Sequence, residues 1–350
     1  MSSFINQFSN KKFLNSLRDG FYLKLKVVEE DKMEEYITPI IKSSYEINDN
    51  NIYIKRDDLL PFSFGGNKVR ISGEFIEDMK KKGCNCMIGY GNARSNLSRA
   101  LSNRCESEGI KCVIISPNDD DGRRVKTANS QIVSICDAEV ITCDKRDVAN
   151  TVEKIKKEYI QNGMKPYYIY GNKFGIGNEI IPVNAYKKVF DEILFQEKQY
   201  GVKFEYIFLA SGTGMTQSGL ICGNIISGQN RTIVGISIAR TKENEIDILH
   251  KNVKLYLESL DCNIDDELIY QNIYFDDSCL LGGYGKYSEE IEKIIKLEIK
   301  NDGLPLDQTY TGKGFLGMIE YLKNKKIINK NVLFIHTGGQ PLFFDNLGVL

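Results

Sequence analysis

The sequence lacks a charge surplus, a long apolar run and a cluster of metal-ligating side chains. Each absence closes a class of function. With 46 Lys and Arg against 47 Asp and Glu the formal net charge is −1, which leaves no basic excess for a nucleic-acid backbone. No apolar stretch approaches the ~18 residues needed to cross a bilayer. The opening segment MSSFINQFSNKKFLNSL has no continuous apolar core, so no secretory signal and a cytoplasmic location are expected. Histidine is scarce, with only His250 and His336. None of the 9 cysteines forms a C-x-x-C pair, and Cys84-Asn85-Cys86 has no second pair at zinc-finger spacing. The cysteines therefore read as packing residues, and no metal is expected. Internal repeats, low-complexity tracts and long Pro/Gly linkers are also missing, so composition marks no domain boundary.

What is present is a chain of 350 residues, 42% hydrophobic and 10% aromatic, which excludes a mainly disordered protein. At ~100–200 residues per domain, two domains are expected, with room for a cleft. Short apolar runs alternate with helical patterns. Strands are predicted at 51–55, 86–90, 111–116, 138–142, 166–170, 205–210, 232–238 and 331–336. Between them lie amphipathic stretches at 71–82, 95–107, 125–135, 148–162, 185–200 and 216–226; in the fifth, Val189, Phe190, Ile193 and Leu194 recur at helical spacing. This alternation predicts an α/β fold with largely parallel sheets covered by helices on both faces. In such sheets ligands bind beyond the carboxyl ends of the strands.

Several loop segments could carry chemistry. Lys55-Arg-Asp-Asp58 is followed by Phe64-Gly-Gly-Asn-Lys68, where two glycines permit a tight turn and Lys68 opens a helical pattern. The positive potential of a helix N-terminus disfavours an ammonium ion, which suits an imine-forming lysine or a base. Taken alone, the segment does not single out one of the 46 basic residues. Ser211-Gly-Thr-Gly-Met-Thr-Gln-Ser-Gly219 joins a strand to a helix. Its third glycine comes two residues late for a dinucleotide fingerprint, and no lysine follows as a Walker loop requires. A single phosphate fits better, held by backbone N–H groups with Thr213 and Thr216 as hydroxyl donors. Ser95 can cap the helix after Gly91-Asn-Ala-Arg-Ser-Asn-Leu. Tyr284 and Tyr310 lie on glycine-bearing loops, and Thr337 follows the last strand. His336 belongs to that strand and reads as a core residue.

Individually ambiguous, these segments are specific in order. Thr38-Pro39, Lys-Arg-Asp-Asp, Gly-Gly-Asn-Lys, Ser-Asn-x-x-Arg, Ser-Gly-Thr-Gly, Gly-Gly-Tyr-Gly, Tyr-Thr-Gly-Lys and His-Thr-Gly-Gly follow one another from about residue 36 to 345. The chain thereby resembles the fold-type-II pyridoxal-phosphate enzymes, the tryptophan-synthase-β superfamily. Within them it is similar to the D-cysteine desulfhydrase and 1-aminocyclopropane-1-carboxylate (ACC) deaminase branch.

The resemblance implies two three-layer αβα domains: a large one from residues 1–70 and 181–350, and a small one from 71–180. It implies pyridoxal 5′-phosphate as cofactor, a small amino acid as substrate, no nucleic-acid or membrane partner, and a homodimer. Lys68 would carry the cofactor covalently and, once freed by substrate, move protons at the α-carbon. Asn67 would lie against the cofactor ring and Asn96 would bond its phenolic oxygen. Gly212, Thr213, Gly214, Met215 and Thr216 would hold the phosphate, and Thr337 would face the pyridine nitrogen. A hydroxyl there does not enforce a protonated ring, which suits elimination better than transamination. Ser95 would hold the substrate carboxylate, Asn96, Leu97 and Thr311 would also contact the substrate, and Tyr284 and Tyr310 would flank it. Threonine at 311 is the desulfhydrase pattern; ACC deaminases carry an acid there. Arg94 and Leu97 depart from the usual Gln and His or Gln around Ser-Asn. The expected reaction is α,β-elimination, with D-cysteine going to pyruvate, ammonia and sulfide. The alternatives are ACC ring opening, β-replacement on an activated serine, or a silent phosphometabolite-binding homologue.

Overall fold

The predicted strand–helix alternation folds into two sheets, and the site lies where their loops converge. The computed structural model describes residues 37–118 and 126–348. The first 36 residues of the expected large domain lie outside them, as does Val125 at the start of one predicted helix. The described residues from Thr38 onward pack as one unit.

Ten strands occur among the described residues: β1 (Ile40–Lys42), β2 (Asn51–Lys55), β3 (Cys86–Tyr90), β4 (Lys111–Pro117), β5 (Glu139–Cys143), β6 (Pro166–Tyr168), β7 (Tyr206–Ser211), β8 (Thr232–Ser237), β9 (Tyr274–Asp276) and β10 (Asn331–Ile335). One sheet has the order β1-β2-β10-β7-β8-β9, the other β5-β4-β3-β6. Every pairing is parallel except β1 with β2.

Period-2 alternation divides the large sheet's side chains between two layers of helices. Phe208, Val234, Val332 and Phe334 pack with Ile291, Ile295, Phe315 and Met318 from the helices Glu289–Asn301 and Thr311–Asn324. Their strand neighbours Ile207, Leu209, Ile233 and Leu333 pack with Tyr186, Phe190, Leu220 and Val253 from Ile180–Tyr200, Met215–Ile226 and Lys242–Glu258. At ~25 cal/mol per Å² of apolar surface, this two-sided burial is what holds the central strands.

Eight strands lie where the sequence placed them; β1 and β9 were not predicted, and neither were the helices after residue 241. The predicted strand 166–170 ends at Tyr168, because Gly171 turns back with φ 82° and its N–H bonds the Tyr168 carbonyl. Tyr170 is thereby released into a loop. Among the described residues no helix is long and apolar enough to cross a membrane.

Candidate active site

The Lys68 turn is built by glycines that approach other backbone too closely for a side chain. Gly66 has φ 95°, and a Cβ there would lie 2.7 Å from the Thr337 carbonyl oxygen. Asn67 N–H donates to that oxygen at 3.0 Å. The turn thus joins the start of the helix Asn67–Lys81 to the end of β10. Asp57 steadies it: its carbonyl accepts from Gly66 N–H at 2.8 Å, and its carboxylate accepts from Tyr186 at 2.6 Å and Arg70 at 2.9 Å. Arg56 clamps Asp58 through two hydrogen bonds of 2.9 and 2.8 Å. Lys55-Arg-Asp-Asp58 is therefore a buried brace for the lysine turn. Arg99 completes the support by donating to the Gly65 carbonyl at 3.3 Å. The pKa of Lys68 itself is pushed down to about 8 by loss of solvent around its ammonium group.

The loop after β7 opens the helix Met215–Ile226 with Gly214 at φ 75° and no side-chain cap. Its first-turn N–H groups lack helical acceptors. Thr213 and Thr216 add hydroxyls, and Asn67 Nδ2 donates to Thr216 Oγ1 at 3.0 Å, tying this loop to the lysine turn. Ser95 caps the helix Asn96–Ser107 by accepting Ser98 N–H at 3.1 Å, which leaves its own O–H to donate. Asn129 donates to Asn96 Oδ1 at 3.0 Å, so the Asn96 amide turns its N–H₂ elsewhere.

One cavity of about 350 Å³ collects Asn67, Lys68, Ser95, Asn96, Leu97, Gly212, Thr213, Gly214, Met215, Thr216, Tyr284, Tyr310 and Thr337. Every residue predicted for the site is there except Thr311. That side chain is fully buried, and its hydroxyl accepts Asp307 N–H at 2.8 Å while donating to the Asp307 carboxylate. The expectation that Thr311 contacts substrate is corrected accordingly. Tyr310, the residue before the helix with φ −116° and ψ −76°, lines the cavity, whereas Thr311 opens the helix Thr311–Asn324 and is buried. His336 is buried as expected, with Nδ1 accepting Gly338 N–H at 3.3 Å and burial holding its pKa down.

The sequence did not reveal Tyr90, Lys145, Tyr170 and Arg240 as further lining residues. Tyr90 and Tyr170 fall in predicted strands, and Lys145 and Arg240 stand in segments without glycine-rich signatures. Among the described residues no Asp or Glu lines the cavity. An uncapped helix N-terminus, several hydroxyls and no lining carboxylate suit a phosphate ester. A lysine held near neutrality suits covalent capture of an aldehyde. The donor set therefore fits pyridoxal phosphate: Lys68 would meet its aldehyde and residues 212–216 its phosphate.

Comparison with known proteins agrees with that fit. The family model described as "Pyridoxal-phosphate dependent enzyme" matches residues 32–338. A protein of Pyrococcus abyssi named "Putative 1-aminocyclopropane-1-carboxylate deaminase" is 29% identical over 299 residues, 84% of this chain and 86% of its own. The D-cysteine desulfhydrase of Klebsiella pneumoniae is 26% identical over 298 residues, 84% of this chain and 88% of its own. The crystal structure of an ACC deaminase homologue superposes with a TM-score of 0.77 at 29% identity, covering 90% of this chain and 94% of that one.

Proposed function

The chain belongs to the pyridoxal-phosphate-dependent enzyme family, within its ACC deaminase and D-cysteine desulfhydrase group, and from that premise we propose a lyase that eliminates the β-substituent of a small amino acid. Its reference reaction converts D-cysteine and one water to pyruvate, ammonia and hydrogen sulfide. The observation that carries this reading is one cavity that holds both Lys68 and the paired hydroxyls of Tyr284 and Tyr310, 2.7 Å apart. When bound, the cofactor supplies an electron sink for charge developing at the α-carbon.

The chain's own groups divide the remaining work. Lys68 Nζ, with its pKa near 8, is basic enough to take the α-proton and acidic enough to return it. Burial, reinforced by Tyr284, raises the Tyr310 phenol well above its ordinary value and keeps it protonated. A protonated phenol can deliver hydrogen to a departing sulfur. Ser95 O–H would orient a carboxylate, and the N–H₂ of Asn96 would bond the cofactor oxygen. Thr337 would offer the pyridine nitrogen a hydroxyl and no negative charge, which would favour elimination over transamination.

A second reading, ring opening of ACC, is supported by the name of the Pyrococcus abyssi relative. Products separate the readings: pyruvate with sulfide, 2-oxobutyrate, or for β-replacement a new amino acid that requires an added nucleophile. Purified protein is expected to be yellow, and Lys68→Ala is expected to lose that absorbance. Titration with D-cysteine, L-cysteine, D-serine and ACC, followed by keto-acid identification, tests the reaction. Cofactor binding with no change in any of these amino acids would overturn it and favour a silent homologue. A cytoplasmic homodimer, with 71–180 as its small domain and 1–70 plus 181–350 as its large one, belongs to the same reading; light scattering checks the dimer.

A further inference from the structure

We infer that Arg240, anchored by Glu245, forms a cationic subsite for an anionic oxygen group beside residues 212–216, apart from the Ser95 loop. The inference rests on the proposed reading, which assigns the substrate's α-carboxylate to that loop.

Arg240 follows β8 in a fixed turn. Ser237 Oγ accepts from the backbone N–H groups of Ala239 and Arg240, at 3.3 and 3.2 Å. Ile238 N–H donates to the Ser211 carbonyl at 3.1 Å, and the Ile238 side chain lies 3.0 Å from where a Cβ on Gly212 would be. The turn therefore lies against the loop after β7. The guanidinium Nη1 donates to Glu245 Oε2 at 2.8 Å, and Glu245 is fully buried. Its other oxygen, Oε1, has no hydrogen-bond partner and sits 2.5 Å from the Cβ position of Gly214. A buried carboxylate anchors Arg240 beside the loop that opens the helix Met215–Ile226.

This pairing uses one of five guanidinium N–H donors. The Arg240 side chain is 36% exposed and lines the cavity, so the fork has access to a bound group. Neutral-side-chain substrates such as D-cysteine and ACC carry no second anion to meet it. An Arg fork matches phosphate and carboxylate oxygens, unlike a solvated surface lysine. The shared chemistry has two sources: the phosphate of the cofactor, or a second acidic group on the substrate side chain.

Arg240→Gln tests the subsite, with the double variant Arg240→Gln/Glu245→Gln removing the stranded carboxylate if the single one folds poorly, and Arg240→Lys as the conservative control. Binding is read from the cofactor chromophore, so turnover is not needed. If the cofactor phosphate is the ligand, the Kd for pyridoxal phosphate rises at least tenfold while that for unphosphorylated pyridoxal changes less than twofold. If the substrate supplies the anion, cofactor affinity holds and the Ki of O-phosphoserine rises at least tenfold relative to serine. Arg240→Lys should recover part of either loss. Both ratios within twofold of the unsubstituted protein would overturn the inference. Failure of D-cysteine to react would overturn the reaction alone, because these readouts report binding.

Discussion

The phenol oxygens of Tyr284 and Tyr310 lie 2.7 Å apart, their rings edge to face with centroids at 5.9 Å. A buried lysine fixes the two segments that carry them. Lys313, in the first turn of the helix Thr311–Asn324, donates through Nζ to the carbonyls of Leu280 and Gly283 at 3.1 and 3.0 Å. The helix that begins directly after Tyr310 therefore also grips the loop that presents Tyr284.

Tyr310→Phe removes one hydroxyl of the pair and keeps the ring. General acid catalysis is worth about 10²–10⁴-fold, so kcat on D-cysteine is expected to fall by about 10²-fold. A substrate whose leaving group needs no proton, such as β-chloro-D-alanine, should lose less than about tenfold if the acid role is correct. Steady-state kinetics on both substrates check this. Equal losses would remove the phenol from the acid role.

The two-sided apolar strands were legible because they are short apolar runs bounded by turns, as in Cys86–Tyr90 and Tyr206–Ser211. β1 and β9 were not: each is three residues at a sheet edge and, unlike β6 within Pro166–Tyr170, neither lies in a longer apolar run. The lysine turn, the loop at 212–216 and the Ser95 cap are local glycine and capping signals, and so they could be read directly. Asn129, Arg240 and Asp307 reach the site or its supports from remote segments, and no local pattern marks them. Thr311 differs for the opposite reason: its chain neighbour Tyr310 faces the cavity, while Thr311 itself is buried with its hydroxyl on Asp307.

Lys68 must be a free amine to capture an aldehyde. Burial lowers its pKa to about 8 from an ordinary 10.5, so the neutral fraction is already substantial near pH 8. The rate at which apoprotein takes up pyridoxal phosphate should therefore rise with pH and reach half its maximum near 8. Stopped-flow absorbance from about pH 6 to about pH 11 brackets both the buried and the ordinary lysine value and checks this. A midpoint near 10.5 would show that Lys68 is solvated.

Gly66→Ala places a methyl group against the Thr337 carbonyl oxygen at 2.7 Å, on a backbone with φ 95°. Neither partner is a flexible side chain, so the clash cannot relax cheaply. A loss of about 1–3 kcal/mol is expected from the strained backbone alone. Because the same turn carries Lys68, cofactor retention should fall with stability. Urea unfolding and chromophore absorbance measure the two effects. A variant with unchanged values would mean that the turn does not join the two segments as described.

Thr311 and Asp307 give the sharpest contrast between sequence and structure. The Asp307 carboxylate is fully buried and accepts N–H bonds from Tyr310 at 2.8 Å and Thr311 at 3.0 Å. Burial pushes its pKa up to about 6 from 3.8, against the pull of those bonds. Between these values the folded state holds more protons than the unfolded state, so stability falls as pH rises through that window. Asp307→Asn should flatten that slope. Thr311→Glu would set a second carboxylate against the first, and a loss of about 3 kcal/mol or more is expected at neutral pH, whereas Thr311→Ser should cost about 1 kcal/mol or less. Urea titrations from about pH 4 to about pH 8 distinguish these outcomes. If Thr311→Glu kept its stability and instead changed KM, residue 311 would be a substrate contact after all. The geometry predicts the reverse, because its hydroxyl is already engaged on both sides by Asp307.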